Sequence, residues 1–216
     1  MAAGCFIVLE GPEGAGKSTL AAGLRGRVRA QGHEPLMVRE PGGTDVAEAL
    51  RHQLLDAERT FTPEAELLYI VTARADLVAR RIRPALANGQ VVISDRYDLS
   101  THAYQGAGRG VDAAHLRWVN EAATGGLVPD VTLVLDLDPA VGRARQGLAG
   151  KGADRMERES AAFHERVAAA YRAATGPGVH HLDAAASPEA VLDAAWQVLV
   201  AALPNLFRRW PEEQLA

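Results

Sequence analysis

Short apolar runs recur along the chain at CFIVLE (5–10), EPLMVR (34–39), QVVISD (90–95), VTLVLDL (131–137) and GVHHLDA (178–184), separated by longer stretches rich in Ala, Leu and Arg. The first four are almost unbroken. A strand with one wet face alternates apolar and polar positions, so unbroken runs predict strands buried on both faces. Strands alternating with helical stretches predict an α/β fold whose mainly parallel sheet is covered on both sides.

Helix starts follow from local chemistry. Thr62 supplies an N-cap and Pro63 a first-turn proline, predicting a helix that runs toward Asn88 and Gly89 with a disturbance at Pro84. Asp112 caps a helix toward Thr124, and Ser187 with Pro188 opens a last helix toward Leu203. The glycine-rich stretch QGLAGKGAD (146–154) sits between helical patterns and reads as a mobile loop within one domain, because its flanks are too small to fold alone. No internal repeat interrupts this organisation.

A length of 216 residues suits one large α/β domain. The net charge of −4 argues against a generic nucleic-acid binder but permits arginines clustered in a cleft. Cys5 is the single cysteine, so no internal disulfide forms and a reducing compartment fits. The N-terminal apolar run lacks a basic n-region and flows into a glycine loop, and AAWQVLVAAL (194–203) is too short to span a bilayer. The expectation is a cytoplasmic protein with no membrane partner.

Gly11 to Ser18 matches G-x-x-x-x-G-K-[ST] in full, after an expected strand and before an expected helix. Gly11, Gly14 and Gly16, with Pro12 and Ala15 between them, let backbone N–H groups turn toward phosphate oxygens, and the helix that follows through Thr19 adds its positive end. Lys17 is placed to reach the β- and γ-phosphates and Ser18 to ligate Mg²⁺. No N-K-x-D guanine reader occurs, so ATP is the expected nucleotide. One residue conflicts with this picture: Glu13 puts a carboxylate inside a loop built for anions.

REPGGT (39–44) follows the second run and DRYDLSTHAYQGAGRG (95–110) the third. The carboxyl ends of parallel strands line the ligand crevice, which places Arg39 and Arg96 facing the phosphate loop. Two arginines there suit a second phosphate as acceptor; a surface ion pair is the alternative for each. Asp95 is a candidate to hold Mg²⁺ through water, or else to cap the turn that follows.

In order, EGPEGAGKST, REPGGT, ELLYIVTARADLV, RPALANGQVVISDRYDLSTHAYQGAGRG, PDVTLVLDLDPAVGRAR, DRMERES and HHLDA make the chain resemble bacterial members of the thymidylate kinase family over about residues 5–203. That resemblance implies a three-layer P-loop kinase fold, a five-stranded parallel sheet flanked by helices with a small lid, and a homodimer. It implies transfer of the γ-phosphoryl of ATP to dTMP with Mg²⁺. It divides the chain into a kinase domain at 1–204, a lid near 143–157 and a tail at 205–216. By the same resemblance Glu13 points at the acceptor sugar, Arg39 and Arg96 hold the dTMP phosphate with Arg51 in support, and Arg74 and Thr101 meet the base. Tyr104 crowds the 2′ position, and Ser100 and Gln105 belong to the same acceptor-binding stretch. Arg155 is the lid residue expected to reach the transferring phosphoryl, with Arg143 or Arg145 beside adenine and Lys151 also basic. Asp183 and Ala184 border adenine. A basic, solvated helix face is the alternative for the lid residues. One departure concerns the base: the family's stacking aromatic falls at Ile70, with Tyr69 one residue earlier, leaving open which of them faces the cleft. A different nucleoside monophosphate as acceptor, or an ATP switch that acts on a partner protein, are the competing readings.

Overall fold

The computed structural model describes residues 4–148 and 154–208, the side chains of 146–148 excepted; Lys151 and the tail from 209 onward, including Trp210, lie outside the described residues. Five strands form one parallel sheet: β1 (Cys5–Glu10), β2 (Leu36–Arg39), β3 (Val91–Asp95), β4 (Val131–Asp136) and β5 (Val179–Asp183), in the order β2-β3-β1-β4-β5. This is the expected α/β architecture, and β1 at its centre is buried at every position. Side chains on a strand alternate between faces. Cys5, Ile7 and Leu9 accordingly pack with α1 (Lys17–Ala30) and α9 (Pro188–Ala202), through Leu24, Val28, Trp196 and Leu199. Phe6 and Val8 pack the other way, against Leu77, Val78 and Ile82.

The middle of the chain differs from a single helix disturbed at Pro84. After α2 (Asp45–Leu55), α3 (Pro63–Leu77) begins at the expected Thr62 cap, then widens into a π-helical segment over Val78–Ile82 before α4 (Arg83–Ala87). Arg83 N–H bonds back five residues to Val78. Pro84 offers no N–H and its ring crowds the carbonyl four residues earlier, so the chain accommodates it by widening one turn upstream. A second π-helical segment, His102–Gly108, follows the short α5 (Asp98–Thr101). The caps expected at Asp112, for α6 (Ala113–Thr124), and at Ser187, for α9, are both present.

Helices α7 (Pro139–Leu148) and α8 (Ala161–Arg172) follow β4, and the first part of the lid expected at 143–157 falls on α7. Gly142 of α7 lies so close to the phosphate loop that a side chain at Gly14 would strike the Gly142 backbone and one at Gly142 would strike the Glu13 carbonyl. Register then brings the carboxyl ends of the central strands level: Leu9 and Arg39 both pair with Asp95, and Glu10 with Val134. The loops leaving β1, β2 and β3 therefore meet at one edge, where the order of strands reverses direction about β1.

Candidate active site

A cleft of about 940 Å³ opens at that edge. On one side the phosphate loop takes positive φ at Gly11, Gly14 and Gly16 (138°, 73° and 91°). Gly16 caps α1 without a side-chain acceptor and no acidic residue occupies the first turn, so the helix presents its N–H groups and positive end to the cleft. The Lys17 ammonium folds back onto the carbonyls of Gly11 (2.9 Å) and Pro12 (2.8 Å). Burial and the nearby charge of Arg96 hold it down to about 8. Ser18 Oγ donates to Asp95 Oδ2 at 3.1 Å, so these two oxygen groups sit together beside the loop.

Glu13 is half-buried and its carboxylate is paired within the cleft. Its Oε1 accepts from Arg96 Nη2 at 2.6 Å and from the Tyr104 hydroxyl at 3.0 Å. Burial would push its carboxyl up, but the charges of Arg96 and Lys17 outweigh that and hold it at about 2. Arg96 itself has φ 77°, a backbone conformation that a bulky residue adopts only under constraint. Its N–H donates to Leu9 O at 2.9 Å and its carbonyl accepts from Ser94 Oγ at 2.7 Å. Arg39, by contrast, lies on an exposed rim and pairs with Glu48 at 3.2 Å while still lining the cleft. Arg51 also lines it, anchored on Pro41 O at 2.8 Å.

Deeper in the cleft, Arg74 is fully buried and four of its five N–H groups are held. Nε donates to Glu40 at 2.6 Å, Nη1 to Thr101 Oγ1 at 2.9 Å and to Asn120, and Nη2 to Tyr97 O at 2.8 Å. Five N–H groups meet four acceptors in these bonds, so one Nη2–H is not used by them. Ile70 lines the cleft beside it, whereas Tyr69 packs on Phe61 with ring centroids 5.2 Å apart. Helix α3 is regular here, and the rotation of roughly 100° between successive helical residues sends Tyr69 away.

The lid residues divide. Arg145 lines the cleft and donates to Ala184 O at 3.1 Å, bridging to the end of β5. Arg143 is exposed and, like Asp183, lies outside the lining, as do Gly11 and Pro12, which instead supply the carbonyls that hold Lys17. Arg155 lines the cleft but turns toward the acceptor side. Its Nη1 donates to Glu66 at 2.7 Å, its Nε to Leu54 O at 2.7 Å, and its guanidinium lies over the Phe61 ring at 5.0 Å. Arg155, expected from sequence to reach the transferring phosphoryl, thus bonds Leu54 O and Glu66 through Nε and Nη1, while its buried Nη2 has no hydrogen-bond partner.

Sequence reasoning passed over three buried acids of this region, each at most 4% exposed: Glu40 and Glu66, which pair directly with arginines, and Glu10, which accepts from hydroxyls and backbone N–H groups. A signal existed for two of them, since Glu10 and Glu40 are acids at the ends of apolar runs, where a charge survives only with partners. Glu66 accepts from Gln105, Arg109 and Arg155, so the remaining acceptor-stretch residue, Gln105, is bonded to it at 2.7 Å.

With this geometry in place, comparison with known proteins is informative. The thymidylate kinase family model matches residues 9–195. Thymidylate kinase of Thermomicrobium roseum is 48% identical over 194 residues, covering 88% of this chain and 92% of that protein. Thymidylate kinase of Pseudomonas fluorescens SBW25 is 47% identical over 209 residues, covering 95% of this chain and 98% of that one. The crystal structure of thymidylate kinase from Ehrlichia chaffeensis is similar with TM-score 0.72 at 28% identity, covering 91% of this chain and 98% of that chain.

Proposed function

The chain belongs to the thymidylate kinase family and is an enzyme that phosphorylates dTMP with ATP in dTTP synthesis; from that premise we propose how its side chains do so. The acceptor phosphate has a second pKa near 6, so it is about doubly charged at neutral pH and needs no general base to attack. Repulsion is the obstacle. Two unit charges about 4 Å apart repel by roughly 4 kcal/mol at an effective dielectric near 20, and two phosphate chains carry several such charges. Arg96 and Arg39, with Arg51 behind them, bind the acceptor phosphate, and Lys17 with the N–H groups of α1 binds the donor, which aligns both for in-line transfer. Arg74 offers its spare N–H to a carbonyl of the base, Thr101, Ile70 and Gln105 border it, and Tyr104 crowds the sugar.

Ser18 and Asp95 would hold Mg²⁺. Both are hard oxygen donors and they already share a hydrogen bond at 3.1 Å. The cation's other ligands would be phosphate oxygens and water, as a hard cation that keeps several waters requires. Its chemical contribution there is to neutralise charge on the phosphate oxygens. Arg145 and Ala184 border adenine. The kinase domain is assigned to 1–204, with a lid at 143–157 whose Arg155 closes the acceptor side.

A homodimer fits the exposed apolar side chains Leu68 of α3 and Trp118 of α6, which a second copy would cover. A cytoplasmic setting fits the lone, buried Cys5, whose thiol burial pushes up to about 12, into an unreactive range. No helix among the described residues is long and apolar enough to cross a membrane.

One observation carries the site assignment: the constrained Arg96, between the phosphate loop and the acceptor wall, with its Nη2 on Glu13 at 2.6 Å. Arg96→Ala is expected to lower kcat by about 100- to 1000-fold, the scale for losing one charged transition-state donor, while KM for ATP changes little. Unchanged turnover would remove Arg96 from the site. A panel of nucleoside monophosphates in a coupled ADP assay checks the acceptor: dTMP should exceed dGMP, and ADP release without any monophosphate would instead indicate a hydrolytic switch.

A further inference from the structure

Glu10 is the last residue of β1, 0% exposed, on the face whose other members are Phe6 and Val8. A carboxylate in such a place persists only if donors surround it. Four do. Oε1 accepts from the backbone N–H groups of Tyr97 (2.8 Å) and Ser100 (3.1 Å), and Oε2 from the hydroxyls of Ser100 (2.6 Å) and Tyr171 (3.2 Å). Among the described residues no cation forms an ion pair with it. The nearest guanidinium, that of Arg96, instead donates through Nη1 to the same two hydroxyls, Ser100 Oγ at 3.2 Å and Tyr171 OH at 3.0 Å.

Each hydroxyl owns one proton and cannot donate in two directions. If both protons point at Glu10, both oxygens turn lone pairs toward Arg96. The hydroxyls are also 2.8 Å apart, so Tyr171 can donate to Ser100 and Ser100 to Glu10; the protons still run toward the carboxylate. Burial pushes the Glu10 carboxyl above its ordinary range, opposed by the Ser100 hydrogen bond, the charge of Arg96 and the Tyr97 N–H; as a carboxylate it only accepts, and either way that sets the polarity Arg96 meets. The same carboxylate fastens the N–H groups of Tyr97 and Ser100, just beyond the point where Arg96 takes its φ of 77°.

We propose that Glu10 is a positioning residue for phosphoryl transfer, orienting the Arg96 guanidinium through the hydroxyls of Ser100 and Tyr171 without touching either substrate. This rests on the assignment of Arg96 to the acceptor phosphate. It also gives the hydroxyl of Ser100, expected from sequence to contact substrate, a place in the support beneath Arg96.

Glu10→Gln tests it, because the amide keeps the shape and one acceptor but turns a donor toward the hydroxyls. One of them must then reverse and aim its proton at Arg96. The expected result is a loss in kcat of roughly 10- to 100-fold, the scale of misplacing a catalytic group, with KM for ATP within about twofold of wild type. In a Ser100→Ala/Tyr171→Phe background the hydroxyls are gone, and the same substitution should cost no more than about threefold, since residues acting through one another are not additive. Wild-type kcat in Glu10→Gln, or an equal loss in both backgrounds, would overturn the proposal. If melting shows that Glu10→Gln does not fold, the Ser100→Ala/Tyr171→Phe variant carries the test: it should itself lose roughly 10- to 100-fold in kcat at unchanged ATP KM, and wild-type turnover there overturns the inference. Arg96→Ala run alongside separates the two levels. An active Arg96→Ala sinks the acceptor-site assignment, whereas an impaired Arg96→Ala beside a wild-type Glu10→Gln sinks the role of Glu10 alone.

Discussion

The Lys17 ammonium donates to two carbonyls of its own loop, with burial and the charge of Arg96 holding its pKa down to about 8. Triphosphate binding reverses the balance, because adjacent negative charge favours the protonated form and raises the pKa. Near pH 8 a fraction of the lysines is neutral beforehand and becomes charged on binding, so ATP binding should take up protons. Calorimetry at pH 8 in two buffers of different ionisation enthalpy reads this directly, and an absence of uptake would mean the ammonium is already fully charged in the free protein. ATP affinity should also weaken as pH rises through this range. Arg74 is held as tightly: four of its five N–H groups already have acceptors within the protein, so its guanidinium is fixed in place by packing.

At the level of elements, side-chain caps decide where several helices begin, and contacts between strand ends decide how the sheet edge is tied to its cover. His181 of β5 places Nδ1 on Asp136 Oδ2 at 2.8 Å and Nε2 on Ala174 O at 2.8 Å. Both partners accept, so only the doubly protonated ring satisfies both. Partial burial pulls its pKa down, but the Ala174 carbonyl and the Asp136 carboxylate outweigh this and raise it above the ordinary 6.5. A raised folded-state pKa means stabilisation that is complete below 6.5 and lost as pH climbs through the folded value. The gap in Tm between wild type and His181→Gln should therefore be wider at about pH 6 than at about pH 8.5. A gap that does not change with pH would show a bond made by the neutral ring.

For the molecule as a whole, the sheet separates two apolar layers, and the chain after α9 completes one of them. Phe207 is 1% exposed, packs on Trp196 at 5.3 Å between ring centroids, and meets the His33 ring at 6.0 Å. Trp196 Nε1 donates to Arg208 O at 3.1 Å, and Leu206 packs against the same core. Phe207→Ala should cost about 3–5 kcal/mol, as truncating a fully buried aromatic does. In a protein of this size that lowers Tm by on the order of 10 °C, with KM for both substrates unchanged in the folded enzyme. A shift of only a degree or two would show that the segment merely rests on the surface.

What was readable from the chain alone has a short range. The phosphate loop spans eight consecutive residues, Gly11 to Ser18; a cap joins residues two or three apart, as at Thr62 and Asp112; a strand declares itself by its own run of apolar side chains. Each of these is settled by neighbours within a turn or two, so residue order suffices. The candidate cleft is built over longer distances. Glu10 meets Tyr171 across 161 residues, Glu66 meets Arg155 across 89 and Arg74 meets Asn120 across 46. Whether Ile70 or Tyr69 faces the cleft, why Glu13 can sit in an anion loop, and which arginines are already committed all depend on those meetings. A carboxylate and a guanidinium carry the same charges wherever they stand in the sequence; only packing determines which of them are buried together and which are left to face a ligand.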